Sequence, residues 1–415
     1  MEGRGGKAIV VGGSIAGLSC AHALVSARWD VAVIEKSTAP STTPSRTCSR
    51  SPTGAGLGLD PQSQEILGRW ISHSQLRLAT FPLSLDLNIM TDSGCKRSKT
   101  LTRDGNFNFL AAHWADLHSL LYEALPPGLI LWGHQFISFQ TYEDKSTVRV
   151  TCRVAKTGEI VEIEGDLLVA ADGCLSAIRQ NFLPNFKLRY SGYCAWRGVL
   201  DFSGKENSDL IVGMREAYPE LGNCLYFDLA CNTHAVLYEL KDKRLNWIWY
   251  VNQPEPKTEC IQGTSVTMKV SKDALHSMHE EADKVWVSQL ASLMQETTDP
   301  FINIIYDSDP LPRLQWEGKI VLIGDAAHPT TPHGLRSTNM SVVDAYVLGK
   351  CLERNGLEGL EKALEEYQTI RLPVVSEQVL HARKLGRAKQ GLNLLGEMQL
   401  EQRGMPYFDG APTYL

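Results

Sequence analysis

The chain has 415 residues, 43% of them hydrophobic and 21% charged, and 41 Lys and Arg against 47 Asp and Glu leave a formal net charge of -6. These values exclude a disordered chain, a collagen and a coiled coil. The acidic balance gives no footing for nucleic acid or an anionic membrane surface. The length suits about two or three domains around a sizeable core, and so an enzyme-sized protein.

The opening residues run directly into an apolar stretch, so no signal peptide is expected. Lys7-Ala-Ile-Val-Val11 reads as a strand, Gly12-Gly13-Ser14-Ile15-Ala16-Gly17 as a tight turn, residues 18–27 as a helix, and Val31-Ala-Val-Ile34 as a second strand ending at Glu35. A Ser/Thr/Pro-rich loop over 37–53 precedes Gly54-Ala-Gly-Leu-Gly-Leu59 and a helix start at Asp60-Pro61. Short strands are expected across 83–110, a helix over 113–125, two strands over 147–154 and 159–164, and a buried strand, Leu167-Leu-Val-Ala-Ala171, leading to Asp172-Gly173. Aromatic and β-branched runs across 188–252 predict an antiparallel sheet. Residues 273–296 have helical spacing, Lys319-Ile-Val-Leu-Ile323 is a buried strand running into Gly324-Asp325, and 339–353 and 357–400 are mainly helical. The basic stretch from His381 to Lys389 is expected to be a solvated helix face. No run approaches the ~18 apolar residues of a spanning helix. The ten cysteines are irregularly spaced without a C-x-x-C, which disfavours a metal or dithiol site and suits reduced thiols in a cytoplasmic protein.

Three segments carry chemistry. Glycines in the first turn let the backbone approach a pyrophosphate, the following helix directs N–H groups at it, and Glu35 can accept bonds from ribose hydroxyls. In the third, Gly324-Asp325-Ala-Ala-His-Pro329 ends a strand and Pro332-His-Gly334-Leu-Arg-Ser-Thr-Asn339 opens a helix. There Asp325 can bind a ribityl hydroxyl, and the helix-start amides can face the pyrimidine end of a flavin. With Ala170-Ala171-Asp172-Gly173-Cys-Leu-Ser176-Ala-Ile-Arg179 between them, the order resembles the FAD-dependent aromatic-ring monooxygenases. The resemblance is nearest to the 2,6-dihydroxypyridine hydroxylase branch, through Gly12-Gly13-Ser14, the Trp114 helix start, Tyr193-Cys-Ala-Trp196-Arg197-Gly198 and Asn246-Trp247-Ile-Trp249-Tyr250.

The resemblance implies an α/β fold: a Rossmann-like FAD-binding domain with a parallel sheet (1–80, 105–180 and 300–350), interleaved with a smaller substrate domain on an antiparallel sheet (81–104 and 181–299) and followed by C-terminal helices (351–415). It implies FAD as cofactor, NADPH or NADH as transient co-substrate, dioxygen as oxidant, and hydroxylation of a small aromatic or heteroaromatic molecule through a flavin C4a-hydroperoxide. It allows a homodimer. The FAD contacts it implies are Gly12, Gly13, Ser14, Ile15, Ala16, Gly17, Glu35, Lys36, Arg50, Gly54, Ala55, Gly56, Trp114, Asp172, Gly173, Gly324, Asp325, Ala326, Pro332, Gly334, Leu335, Arg336, Ser337, Thr338 and Asn339. Trp114 and Ser337 depart from what many relatives carry there.

A substrate pocket is expected between flavin and sheet, lined by Tyr193, Tyr238, Trp249 and Pro332, with His333, Tyr250, Tyr226 and His234 as candidate bases or relays. Strand aromatics serve equally as core, His328 is read as structural or flavin-adjacent, and Trp196 with Arg197 as a packing and positioning pair. Rival readings keep FAD but perform epoxidation, decarboxylative hydroxylation or redox chemistry without oxygen insertion, or keep the fold as a non-enzymatic flavin binder.

Overall fold

The structure is a computed structural model that describes residues 6–39, 54–142, 147–256, 266–268 and 270–391. A six-stranded sheet runs in the order Gln315–Trp316, Ile320–Leu322, Leu167–Ala170, Lys7–Val11, Asp30–Glu35, Ile130–Trp132. All its pairs are parallel except the edge pair at Gln315–Trp316. Near-continuous apolar strands demand cover on both faces. The helices Ile15–Ser26 and Arg336–Asn355 contribute much of it, and Leu18, Leu24, Val342 and Leu348 are fully buried there. The first strand, the helix Ile15–Ser26 and the strand Asp30–Glu35 form the expected nucleotide-binding unit.

An eight-stranded sheet takes the aromatic region, in the order Thr267–Met268, Phe301–Asp307, Arg189–Asp201, Arg244–Asn252, Thr233–Leu240, Cys224–Ala230, Leu85–Thr91, Arg97–Asp104. It is antiparallel with one exception: Cys224–Ala230 pairs parallel to Leu85–Thr91. Those two strands lie far apart in the chain, and parallel pairing needs a long crossover. A helix, Asp209–Ala217, also interrupts the region read as strands. Its signals are a Ser208 side-chain cap and buried Ile211 and Met214 three residues apart.

Alternation along these strands separates two cores. Cys194, Trp196, Tyr226, Leu237, Trp247 and Trp249 face one side, against helices Lys272–Val285 and Ser288–Glu296. Tyr193, Ala195, Phe227, Val236, Tyr238, Ile248 and Tyr250 face the other, towards Phe109 and Leu335. The C-terminal helix Leu360–Lys389 continues from the covering layer of the parallel sheet to this second face.

The first turn has a stricter cause than pyrophosphate approach. Gly12 has φ +110°, and a Cβ there would stand 2.2 Å from the Ala171 carbonyl oxygen of the neighbouring strand's exit. The same close approach recurs at Gly17, whose Cβ would meet the Gly12 oxygen. Gly12→Val is therefore expected to prevent folding and not merely to crowd a pyrophosphate. Circular dichroism and soluble yield check this; a folded, colourless variant would restore the simpler reading.

Candidate flavin site and aromatic cleft

The dinucleotide turn is braced from three sides. The Gly12 N–H donates to the Ile34 carbonyl at 2.9 Å. The Gly13 N–H donates to Glu35 Oε2 and the Ser37 N–H to Glu35 Oε1, each at 2.7 Å. His118 Nε2 lies 2.8 Å from the Gly13 carbonyl, so it carries the proton and donates. Burial lowers the His118 pKa and keeps the ring neutral. Trp114 stacks on His118 with centroids 4.8 Å apart, which explains an aromatic residue at that helix start. Sequence reasoning missed His118, because nothing local ties a helix histidine to a turn a hundred residues earlier.

The helix Ile15–Ser26 begins at Ser14 with no side-chain cap and no acid in its first turn. Its leading amides are thus available to an anion. Ile15 is buried, Ala16 packs beneath Gly324, and Lys36 is exposed beyond the strand end. Arg50 lies outside the described residues.

The second and third segments are clasped together by Arg179. Its Nη1 donates to the Asp325 and Ala326 carbonyls at 3.3 and 2.8 Å, and its Nη2 donates to the Cys174 carbonyl. Asp172 Oδ2 accepts from the Ile178 N–H at 3.3 Å, while Oδ1 is buried with no partner among the described residues. Burial raises the Asp172 pKa. Gly173 adopts φ +81° as the chain leaves its strand.

Asp325 is half-buried, and Ser337 Oγ donates to its Oδ1 at 2.7 Å. The serine that departs from the family pattern therefore orients the proposed ribityl acceptor. Gly334 and Leu335 both take left-handed backbone, φ +76° and +56°, turning residues 332–335 along the cleft before the helix Arg336–Asn355 begins. For leucine this is a strained conformation of the kind that clusters at ligand sites.

Two of the expected flavin contacts, Asn339 and Arg336, also brace the loop. The Asn339 side chain donates to the Gly58 and Leu335 carbonyls and accepts from the Asp60 N–H. Arg336 Nη1 lies 3.6 Å from Asp60 Oδ2. Ala326 is fully buried. Asn339 thus turns toward the Gly56–Leu59 strand and the start of the Pro61–Trp70 helix, while Arg336 reaches Asp60 from the cleft lining.

Between this loop and the second face of the eight-stranded sheet lies a cleft of about 680 Å³. Gly54, Ala55, Gly56, Trp114, Asp325, Pro332, His333, Leu335, Arg336, Ser337 and Thr338 line one side, and Arg197, Phe227, Tyr238, Ile248 and Tyr250 line the other. His113 Nε2 holds the Gly54 carbonyl, and Asn246 Oδ1 accepts from the Gly56 N–H at 2.7 Å, so the glycine strand is pinned to the sheet.

Tyr226 and Trp249 are corrections. Strand parity turns both to the opposite core, where Tyr226 accepts from the Glu220 N–H and Trp249 Nε1 donates to Thr233 Oγ1. The same parity splits Trp196, in that core, from Arg197, at the cleft. Tyr193 and His234 lie behind the cleft wall, in contact with Tyr250 and His333. Burial first, and then Lys389, lowers the His234 pKa to about 3, and His333 is pushed well down by burial, His234 and Lys389. Both rings are neutral at physiological pH, which argues against either as a proton store.

The basic stretch is helical as expected, but only part of it is a solvated face. Lys389 is 2% exposed; its Nζ donates to Asn88 Oδ1 at 2.5 Å and sits 3.2 Å from the Phe227 ring centroid. Arg383 Nε pairs with the buried Asp307 carboxylate at 2.7 Å. Arg383 and Lys389 thus turn inward and close the back of the cleft, with their methylene stems packed and their charges bonded, while Lys384 and Arg387 stay on an exposed face.

His328 is structural, as one reading had it. Asp344 Oδ2 receives His328 Nε2 at 2.5 Å and the Gly324 N–H at 3.0 Å, and Oδ1 receives Arg371 Nε at 2.8 Å. Burial opposes ionisation of Asp344, but His328 and Arg371 outweigh it and bring its pKa to about 2.

These features fit FAD: uncapped helix amides, a strand-end acid poised by Ser337, and an orphaned buried Asp172 oxygen beside them. Comparisons agree. A model described as FAD binding domain matches residues 313–382, and one described as NAD(P)-binding Rossmann-like domain matches residues 10–47. Aurachin C monooxygenase/isomerase of Stigmatella aurantiaca is 28% identical over 68% of this chain and 65% of its own length, so the chain spans just under two thirds of that relative. The 6-hydroxynicotinate 3-monooxygenase of Pseudomonas fluorescens is 27% identical over 87% of this chain and 86% of its own. The solved structure of 2,6-dihydroxypyridine-3-hydroxylase from Arthrobacter nicotinovorans superposes with TM-score 0.76 at 21% identity, covering 95% of each chain. The fold is that of the FAD hydroxylases, and the chain's homologues are aromatic-ring monooxygenases.

Asp325→Ala is expected to lower FAD occupancy at least about tenfold, the loss of a charge-assisted contact, read from the visible absorbance of purified protein. Asp344→Asn leaves His328 and Arg371 buried without their counterion and should cost about 3–5 kcal/mol, measured by denaturant unfolding. A depressed folded-state pKa stabilises above the ordinary value of 3.8, and that stability is lost as pH falls through about 2. The variant should therefore lack this acid-labile component.

Proposed function

We propose that the chain is an FAD-dependent monooxygenase that uses NAD(P)H and dioxygen to hydroxylate a small, acidic aromatic or heteroaromatic ring in the cleft. Bound FAD, reduced by NAD(P)H, supplies the activation of dioxygen and the insertion of one oxygen atom. The protein's residues position the ring and exclude water. The helix start at Ile15 and Glu35 would hold the pyrophosphate and ribose, Asp325 the ribityl chain, and the 332–338 backbone the flavin ring edge. The interleaved division, 1–80, 105–180 and 300–350 against 81–104 and 181–299, is part of this reading with one boundary corrected: Phe301–Asp307 pairs with Arg189–Asp201 in the eight-stranded sheet and so goes with the substrate part.

The observation that carries it is the wall opposite the flavin loop. Phe227, Ile248, Tyr238 and Tyr250 form a flat apolar slot, and Arg197 is a cation at its edge. Arg197 Nε is buried without a hydrogen-bond partner among the described residues. A buried, unsatisfied guanidinium N–H at an aromatic slot suits a carboxylate or phenolate on the ring. The relative named for 6-hydroxynicotinate takes an acidic heteroaromatic, which supports the same class. His333 and Tyr250 contribute wall shape, since burial holds His333 neutral and raises the Tyr250 pKa.

Hydroxybenzoates, hydroxypyridines and their carboxylates should stimulate NAD(P)H oxidation, and labelled dioxygen should place one labelled oxygen in the product. Peroxide release with no labelled product from any ring would instead support redox chemistry without oxygen insertion. Arg197→Ala should raise KM for an acidic ring by about ten- to a hundredfold, and raise it less for the matching amide. An equal effect on both would defeat the assignment.

A further inference from the structure

A chain of hydrogen bonds runs behind the cleft from the C-terminal helix, and its polarity can be deduced link by link. The Gln390 backbone carbonyl can only accept, so Asn252 Nδ2 donates to it at 3.1 Å. Asn252 Oδ1 therefore accepts from Gln390 Nε2 at 2.8 Å. This leaves Gln390 Oε1 as the acceptor facing His234 Nδ1 at 2.7 Å, so His234 carries its proton on Nδ1. His234 Nε2 is then an acceptor and takes the N–H of His333 Nε2 at 3.2 Å. His333 Nδ1 is left as an acceptor, 3.4 Å from the Tyr193 hydroxyl. One backbone carbonyl thus decides both imidazole tautomers.

The helix is shaped for this approach. A Cβ on Gly386 would stand 2.5 Å from the Tyr193 hydroxyl oxygen and 2.6 Å from His333 Nδ1. Gly386 lies inside the helix Leu360–Lys389, where glycine costs stability, and the close contact accounts for it. The groups around the pair are all placed: His234 stacks on Tyr250, Arg197 brings positive charge, Lys389 is an amine that burial brings down to about 7 against the pull of Asp86, and Asp307 lies beyond Tyr193.

We propose that Gln390 is a positioning residue for the aromatic cleft. Through His234 it fixes the tautomer of His333, with its Nδ1 an acceptor, and so sets the wall against which the substrate ring lies. The inference rests on the aromatic-substrate reading for its effect on turnover, but the tautomers themselves do not.

The test is a two-bond proton–nitrogen spectrum of the full chain with FAD added and its histidines labelled with nitrogen-15, near pH 7. His234→Gln and His333→Asn variants assign the signals. His234 should show the Nδ1–H pattern and His333 the Nε2–H pattern. Gln390→Leu should abolish the His234 pattern and raise KM for an acidic aromatic about five- to tenfold, the loss of one net hydrogen bond, at unchanged FAD content. Gln390→Glu keeps the acceptor and should keep the His234 pattern. If Gln390→Leu does not fold, Gly386→Ala should shift the His333 signals and leave those of His234.

A wild-type His234 protonated on Nε2, or on both nitrogens, overturns the proposal. So does a Gln390→Leu protein with unchanged spectrum and KM. Correct tautomers in a protein that oxidises no aromatic ring would overturn the functional reading alone.

Discussion

The Asp344 carboxylate is the interaction on which the site depends. It gathers the Gly324 amide, His328 and Arg371, and so joins the strand-end turn to the helix Arg336–Asn355 and to the C-terminal helix. A buried charge of this kind persists only when fully bonded. Its geometry fixes where Asp325 stands, where the strained loop at Gly334 and Leu335 crosses the cleft, and the angle at which the last helix sets out toward the aromatic sheet.

From that node the two walls of the cleft have different physics. The flavin wall is mostly backbone: uncapped helix amides, left-handed turns and carbonyls clasped by Arg179. The sheet wall is side chains, and period-two alternation sorts them without exception at the positions that matter. Tyr250, Tyr238 and Phe227 face the flavin loop, while their neighbours Trp249, Leu237 and Tyr226 fill the opposite core. Arg197 stands at the edge of the slot as a cation whose Nε has no partner among the described residues, and Arg336 brings a second guanidinium to the facing wall.

The C-terminal helix closes the back of this arrangement. Its basic stretch buries Lys389 against Phe227 and Asn88, and Gln390 against His234. Burial, reinforced by Lys389 behind the wall, lowers the pKa of both histidines, so the cleft presents Arg197 and Arg336 as its cations and imidazoles only as uncharged surface.

The nucleotide unit, the Asp172-Gly173 and Gly324-Asp325 turns and the class of fold were legible in the residues alone. Each rests on short-range chemistry: a glycine where a Cβ has no room, an acid at a strand end, an apolar run between turns. The aromatic strands were legible as strands, but not which of two adjacent aromatics faces the flavin, because parity is set by register against partners far along the chain. His118 at the Gly13 carbonyl, Arg179 across two motifs, and the inward turn of Arg383 and Lys389 likewise depend on contacts with residues far along the chain. Sequence by itself thus determined the flavin chemistry, since local backbone geometry dictates those residue types. Only the tertiary structure decided the substrate wall, since charge, tautomer and orientation there are set by groups that meet nowhere but in the folded chain.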